Sequence, residues 1–134
     1  MTQYPYTTTG KIRYGRHKDD GGHGWVVIDC PSDIVYYYNK VCNWLLFKGR
    51  RITTPLHGAH ITVVAGKYAD VDKELWGYRD GEEIEFSYGT IQDNGQNYFW
   101  LPVKCDQASE LRNYLGLTPL PKFQFHLTIG YLND

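Results

Sequence analysis

The chain has 134 residues, 42% of them hydrophobic, and a formal net charge of −1 at pH 7. This predicts one compact domain, residues 1–134, and argues against a long, non-specific nucleic-acid surface, which needs a basic excess. The three cysteines include no Cys-x-x-Cys pair, so reduced thiols in a cytoplasmic protein are favoured over disulfides. No signal peptide or membrane-spanning run is visible, so we expect no membrane partner.

The first half of the chain is predicted to form strand, strand, helix and strand. A loosely ordered arm, two strands, a helix and a closing strand are expected, in that order, at residues 1–9, Lys11–Gly15, Trp25–Asp29, the segment after Asp33, and Ala59–Ala65. The loop between the first two strands is rich in glycine. Its histidines, His17 and His23, are expected to be solvated.

The second half repeats this order. After a short helical connection come two strands, a helix and a final strand, predicted at Tyr68–Tyr78, Ile84–Tyr88, Tyr98–Lys104, Asp106 to Gly116, and Gln124–Leu132. An Asp-Asn-Gly turn at residues 93–95 separates the two strands.

Short motifs recur between the halves. Trp25 is followed after five residues by Cys30, and Trp100 by Cys105, at an offset of 75 residues. This internal repeat predicts two pseudo-twofold related halves, residues 10–66 and 84–132. Each half would form a small antiparallel sheet flanked by a helix, an α+β architecture around a central cleft.

The most informative repeat is His60-Ile61-Thr62 and His126-Leu127-Thr128. Successive side chains of a strand point to opposite faces, so each histidine shares a face with its threonine while the apolar residue between them faces the core. A single strand histidine is more often structural. A matched pair, each followed by apolar residues and a glycine, favours a functional site.

Two imidazoles and two hydroxyls suit the cleavage of a phosphodiester. One imidazole can act as the base and the other as the acid, and Thr62 and Thr128 can donate hydrogen bonds to phosphoryl oxygens. Sequence does not distinguish the base, His60 or His126, from the acid. Because one must be neutral and the other charged, the rate is expected to be bell-shaped in pH.

A metal site is the rival use of these histidines. His57 and His60 are three residues apart, but no acidic residue lies within or beside either motif. Metal-dependent phosphatases usually gather carboxylates around their ions. We therefore expect no metal and no cofactor.

Substrate contacts are predicted from strand alternation. Trp25 and Trp100 are expected to face the cleft, where they could stack on two bases of one ligand; the alternative is that they fill space between the halves. Lys11 and Arg13 lie opposite Ile12 and Tyr14 and could bind phosphate.

The paired motifs resemble those of the 2H phosphoesterase superfamily. Within it, the chain looks most like small phage enzymes that degrade the cyclic oligonucleotide signals of bacterial CBASS immunity. Four stretches carry this resemblance: Gly58–Val64, Gly81–Phe86, Trp100–Cys105 and Phe125–Gly130.

The resemblance implies a bilobal, LigT-like fold with the active site between the lobes. It also implies metal-independent cleavage of 3′–5′ phosphodiester bonds in a cyclic di- or trinucleotide within the host cytoplasm. Two alternatives remain open: an RNA-end enzyme acting on 2′,3′-cyclic phosphates, and a non-catalytic protein that sequesters cyclic nucleotides.

Overall fold

The computed structural model describes residues 3–45, 52–55, 58–121 and 123–132. Its strands are β1 (Tyr6–Tyr14), β2 (Val26–Asp29), β3 (Ile52–Thr53), β4 (His60–Val64), β5 (Glu83–Tyr88), β6 (Gln92–Asp93), β7 (Tyr98–Lys104) and β8 (His126–Leu132). Its helices are α1 (Ser32–Leu45) and α2 (Asp106–Tyr114). The predicted α+β class is therefore confirmed, and each half contributes strand, strand, helix and strand in the expected order.

All described strands belong to one antiparallel sheet, so the prediction of two separate small sheets is wrong. The strand order is β3-β8-β4-β2-β1-β5-β7-β6, and a further pairing of β8 with β7 closes six of the strands into a ring. The halves join at two places because β1 pairs with β5 and β4 pairs with β8. Both joints replace sheet edges with hydrogen-bonded neighbours, which removes exposed strand edges between the halves.

The strand register shows the pseudo-twofold relation directly. Val27 of β2 pairs with Thr62, and Trp100 of β7 pairs with Thr128. Val27 and Trp100, 73 residues apart, are thus equivalent. The predicted equivalence of Trp25 with Trp100 is wrong by two residues, because a repeated Trp and Cys matched two positions that the sheet does not superimpose.

An irregularity follows each His-x-Thr motif. The register shifts by one residue between Val26 and Val27, which leaves Val63 of β4 without a direct partner on β2. It shifts in the same way between Phe99 and Trp100, which leaves Ile129 of β8 without one on β7. Each shift is a β-bulge, and bulges of this kind redirect neighbouring side chains.

The two helices also match at an offset of 73 residues. Val35, Asn39 and Cys42 are buried positions of α1, and their counterparts Ala108, Arg112 and Leu115 are buried in or just after α2. Helix α1 packs against β8 and β3, whereas α2 packs against β4 and β5. The apolar members join the ring's interior residues in a single core, which supplies the main driving force for folding.

Three local predictions need correction. Strand β1 begins at Tyr6, inside the predicted arm, because the threonine run pairs with β5. The predicted helical connection contains only short 3₁₀ turns at Gly66–Tyr68 and Lys73–Leu75. His17 is buried rather than solvated: its Nε2 donates to the Val71 carbonyl oxygen, and its Nδ1 accepts from a backbone N–H of its own loop.

All three cysteines are free thiols, as predicted. Within the described part of the chain, no helix is long and apolar enough to cross a membrane.

Candidate active site

The two His-x-Thr motifs meet on neighbouring strands. Ile61 of β4 pairs with Leu127 of β8, and both side chains are fully buried. Because the strands are antiparallel, His60 lies on the Thr128 side of this pair and Thr62 on the His126 side. The four polar side chains therefore occupy the outer face, where each is half-buried. The structure thus brings together the four residues that the sequence singled out.

Both imidazoles are held in the same way. The Nδ1 atom of His60 lies 3.0 Å from the carbonyl oxygen of Gly58, and Nδ1 of His126 lies 2.7 Å from that of Gln124. A carbonyl oxygen only accepts hydrogen bonds, so each Nδ1 carries a proton. In a neutral imidazole this leaves Nε2 unprotonated and free to accept a proton from a substrate. Two oriented, exchangeable Nε2 atoms are what an acid–base pair requires.

The two threonines differ in their surroundings. The Tyr98 Oη and Thr128 Oγ1 atoms are 2.6 Å apart, whereas no hydrogen bond of the Thr62 hydroxyl occurs among the described residues. Burial raises the pKa of Tyr98, and its hydrogen bond to Thr128 opposes that shift only in part. The phenol therefore stays protonated and can donate to Thr128, whose own proton is then free for a ligand.

Two cavities open beside the motifs and share His126 and Phe123. The first has a volume of about 450 Å³ and is lined by Trp25, Thr62, Val63, Ala65, Tyr68, Ala69, Arg112, Thr118, Leu120, Pro121, Phe123 and His126. The second has a volume of about 550 Å³ and is lined by Asn94, Tyr98, Trp100, Pro102, Phe123, Gln124, Phe125 and His126. Both are mainly apolar concave sites with a few polar groups, as ligand sites usually are.

Each predicted tryptophan lines one of these cavities. Trp25 is 42% exposed and shares the first cavity with Thr62. Trp100 is in the second, where its ring stacks on Tyr98 at a centroid distance of 5.3 Å. The two indoles thus flank His126 on opposite sides although they are not equivalent in the repeat. Their contact with a substrate remains a prediction.

Lys11 and Arg13 are exposed on β1, on the same outer face as the motifs but two strands from β4. Arg13 forms a bidentate ion pair with Asp29, with Nε to Oδ2 at 2.7 Å and Nη2 to Oδ1 at 3.1 Å. This pair raises the pKa of Arg13. Neither basic residue lines the two cavities, so their role in binding phosphate also remains a prediction.

The fold brings one carboxylate near a motif that has none beside it in sequence. Asp29 of β2 is the cross-strand partner of His60, but its oxygens are engaged by Arg13. In the described ranges, no group of three or more His, Cys, Asp or Glu side chains is placed to hold a metal ion. His57, the other histidine considered for a metal, lies outside the described residues.

Comparison with known proteins gives one match. The model of the family described as Swiss Army Knife, 2H phosphoesterase domain, matches residues 43–134. This region contains both His-x-Thr motifs and most of the chain. No curated protein and no solved structure matches.

The chain therefore belongs to the 2H phosphoesterase family. It is an enzyme, a hydrolase that acts on phosphodiester bonds.

Sequence reasoning did not select two residues of this site, Tyr98 and Arg112. Strand alternation places Tyr98 on the same face as Trp100, and a hydroxyl on that face was the available signal. Arg112 follows Ala108 by four residues, so a cation occurs on the apolar stripe of α2. That departure from the pattern was the signal for Arg112.

Proposed function

We propose that this hydrolase cleaves the 3′–5′ phosphodiester bonds of cyclic di- or trinucleotides in the cytoplasm of an infected bacterium and so counters CBASS anti-phage defence. One observation carries the proposal: His126 lies between two cavities, and each of them has an aromatic wall that contains a tryptophan. A compact ligand with a base on each side of its scissile phosphate fits such an arrangement. The free thiols agree with a reducing compartment.

The proposed chemistry uses only the four motif side chains. One imidazole accepts the proton of the attacking oxygen at Nε2 while that oxygen bonds to phosphorus. The other imidazole donates its Nε2 proton to the oxygen that leaves. Hydroxyls of Thr62 and Thr128 donate to the two non-bridging oxygens, whose negative charge grows in the transition state.

Base stacking accounts for recognition without a strongly basic surface. A base stacked on an aromatic ring contributes about 1–3 kcal/mol, and every base offers a stacking face. The net charge of −1 is less suited to a long RNA strand, which engages many phosphates. A cyclic dinucleotide has only two phosphates.

The first test compares substrates and tryptophan variants. Cyclic di- and trinucleotides, 2′,3′-cyclic mononucleotides and short RNAs are incubated with the protein, and products are identified by mass spectrometry. We expect cyclic oligonucleotides to be cleaved. Trp25→Ala and Trp100→Ala should each weaken binding of a cyclic dinucleotide by about 1–3 kcal/mol, and hydrolysis of a mononucleotide should respond to no more than one of them.

Trp44→Ala is the matched control, because Trp44 on α1 is 73% exposed and lines neither cavity. Cleavage of RNA ends alone, with a steep salt dependence and no effect of either cavity tryptophan, would favour the RNA-end enzyme. Tight binding of cyclic nucleotides without any product would indicate a sequestering protein.

A further inference from the structure

Each bulge carbonyl is met by a buried polar residue from a helix. Asn39 of α1 donates from Nδ2 to the carbonyl oxygen of Ile129 at 3.5 Å, and Arg112 of α2 donates from Nη1 to that of Val63 at 2.8 Å. Asn39 and Arg112 are equivalent in the repeat, and they are 8% and 7% exposed. A neutral amide is thus sufficient for this structural task in the first half. The positive charge of Arg112 calls for a separate explanation.

That charge has no acidic partner in the part of the chain that the structure describes. The second bond of Arg112 is again to a carbonyl, from Nε to Thr118 at 2.8 Å. Burial lowers the pKa of the guanidinium, which reflects the cost of removing a cation from water without a counter-charge. A bound anion would offset this cost.

The unused donors of Arg112 adjoin the first cavity. A guanidinium has five N–H donors, and the two carbonyl bonds use one each on Nε and Nη1. Among the described residues, every solvent-inaccessible side-chain nitrogen has a hydrogen-bond partner, so Nη2, which has none, is open to solvent. The adjoining cavity is the one that also contains Thr62, Trp25 and His126.

We propose that Arg112 forms a subsite for a second, non-scissile phosphate of the substrate at the buried end of this cavity. The motif side chains already serve the scissile phosphate, and the cavity connects His126 with Arg112. Planar guanidinium groups bind phosphate oxygens through charge-assisted hydrogen bonds. This inference rests on the proposed function only in requiring a substrate with at least two phosphates.

The experiment compares substrates with one and two phosphates. Wild type, Arg112→Asn and Arg112→Lys are assayed on adenosine 2′,3′-cyclic phosphate and on a diadenosine nucleotide that ends in the same cyclic phosphate. Arg112→Asn reproduces the residue of the first half. It should lower kcat/KM about 10–100-fold on the two-phosphate substrate, as expected for a lost charge-assisted contact, with little change on the mononucleotide. Arg112→Lys should retain part of this preference.

Lys67→Gln controls for a general loss of positive charge, since Lys67 is exposed on the neighbouring 3₁₀ turn. Folding of each variant is checked by thermal unfolding. If Arg112→Asn does not fold, wild type is assayed on a cyclic dinucleotide with one linkage replaced by a neutral methylphosphonate. The remaining diester should then be cleaved about 10–100-fold less efficiently.

An equal loss on both linear substrates, no loss on either, or indifference to the methylphosphonate would overturn the subsite. Cleavage of the cyclic dinucleotide is a separate result. If wild type prefers the two-phosphate linear substrate but leaves the cyclic dinucleotide intact, the proposed function fails and the phosphate subsite stands.

Discussion

At the scale of single residues, the site depends on two histidines with the same orientation. Replacing His60 or His126 by Ala should each lower turnover by about 10²–10⁴-fold, because the acid and the base act in one transition state. Thr62→Ala and Thr128→Ala should cost about 10–10³-fold for the loss of one phosphoryl donor. Steady-state kinetics on the preferred substrate measures these effects.

All four variants should remain folded, because the replaced side chains lie on the outer face and not in the core. His23→Ala is the control, since His23 is exposed on a loop outside both cavities, and its activity should equal that of wild type. A folded His60 or His126 variant with near-normal turnover would show that the paired acid–base assignment is wrong.

Tyr98 is expected to act through Thr128. Tyr98→Phe removes the hydroxyl that lies 2.6 Å from Thr128 Oγ1 and should lower kcat about 2–10-fold, the value of one hydrogen bond. In a Thr128→Ala background the same change should have no further effect, whereas in a Thr62→Ala background the losses should multiply.

Tyr131→Phe provides the comparison, because its ring packs 5.1 Å from that of Tyr98 and no hydrogen bond links its hydroxyl to Thr128. It should leave kcat unchanged in every background. Equal losses from Tyr98→Phe in the Thr62→Ala and Thr128→Ala backgrounds would mean that the hydroxyl supports the aromatic cluster and does not position Thr128.

At the scale of elements, local patterns predicted identity better than pairing. Strand β7 was predicted at its observed bounds, and β4, β5 and β8 within two residues, because alternation and turn residues are local signals. The pairing of β1 with β5 and of β4 with β8 depends on contacts between distant segments. No single-strand pattern encodes those contacts, and the sheet count was wrong for that reason.

The candidate site shows the same division. His60, Thr62, His126 and Thr128 could be found from sequence because strand period places each pair on one face. Arg112 could not be assigned in this way, since its relation to Val63 and to the cavity arises only when α2 packs on β4. The symmetric partner Asn39 likewise becomes visible only from the offset of 73 residues that the register defines.

At the scale of the whole molecule, the repeat builds one ring of strands with a single site at the seam between its halves. The shared seam gives both histidines the same backbone hydrogen bond. The surrounding residues break the symmetry, with Tyr98 beside Thr128 and a charged Arg112 where the first half has Asn39. A duplicated chain has thus acquired unequal sides around one reaction centre.

The central claim is that the paired imidazoles cleave a cyclic dinucleotide without a metal ion. The most direct measurement is the rate of product formation from a cyclic dinucleotide, followed by mass spectrometry, in the presence and absence of excess EDTA. We expect the two rates to be equal. A loss of activity in EDTA that added Mg²⁺ or Mn²⁺ restores would contradict the two-histidine mechanism.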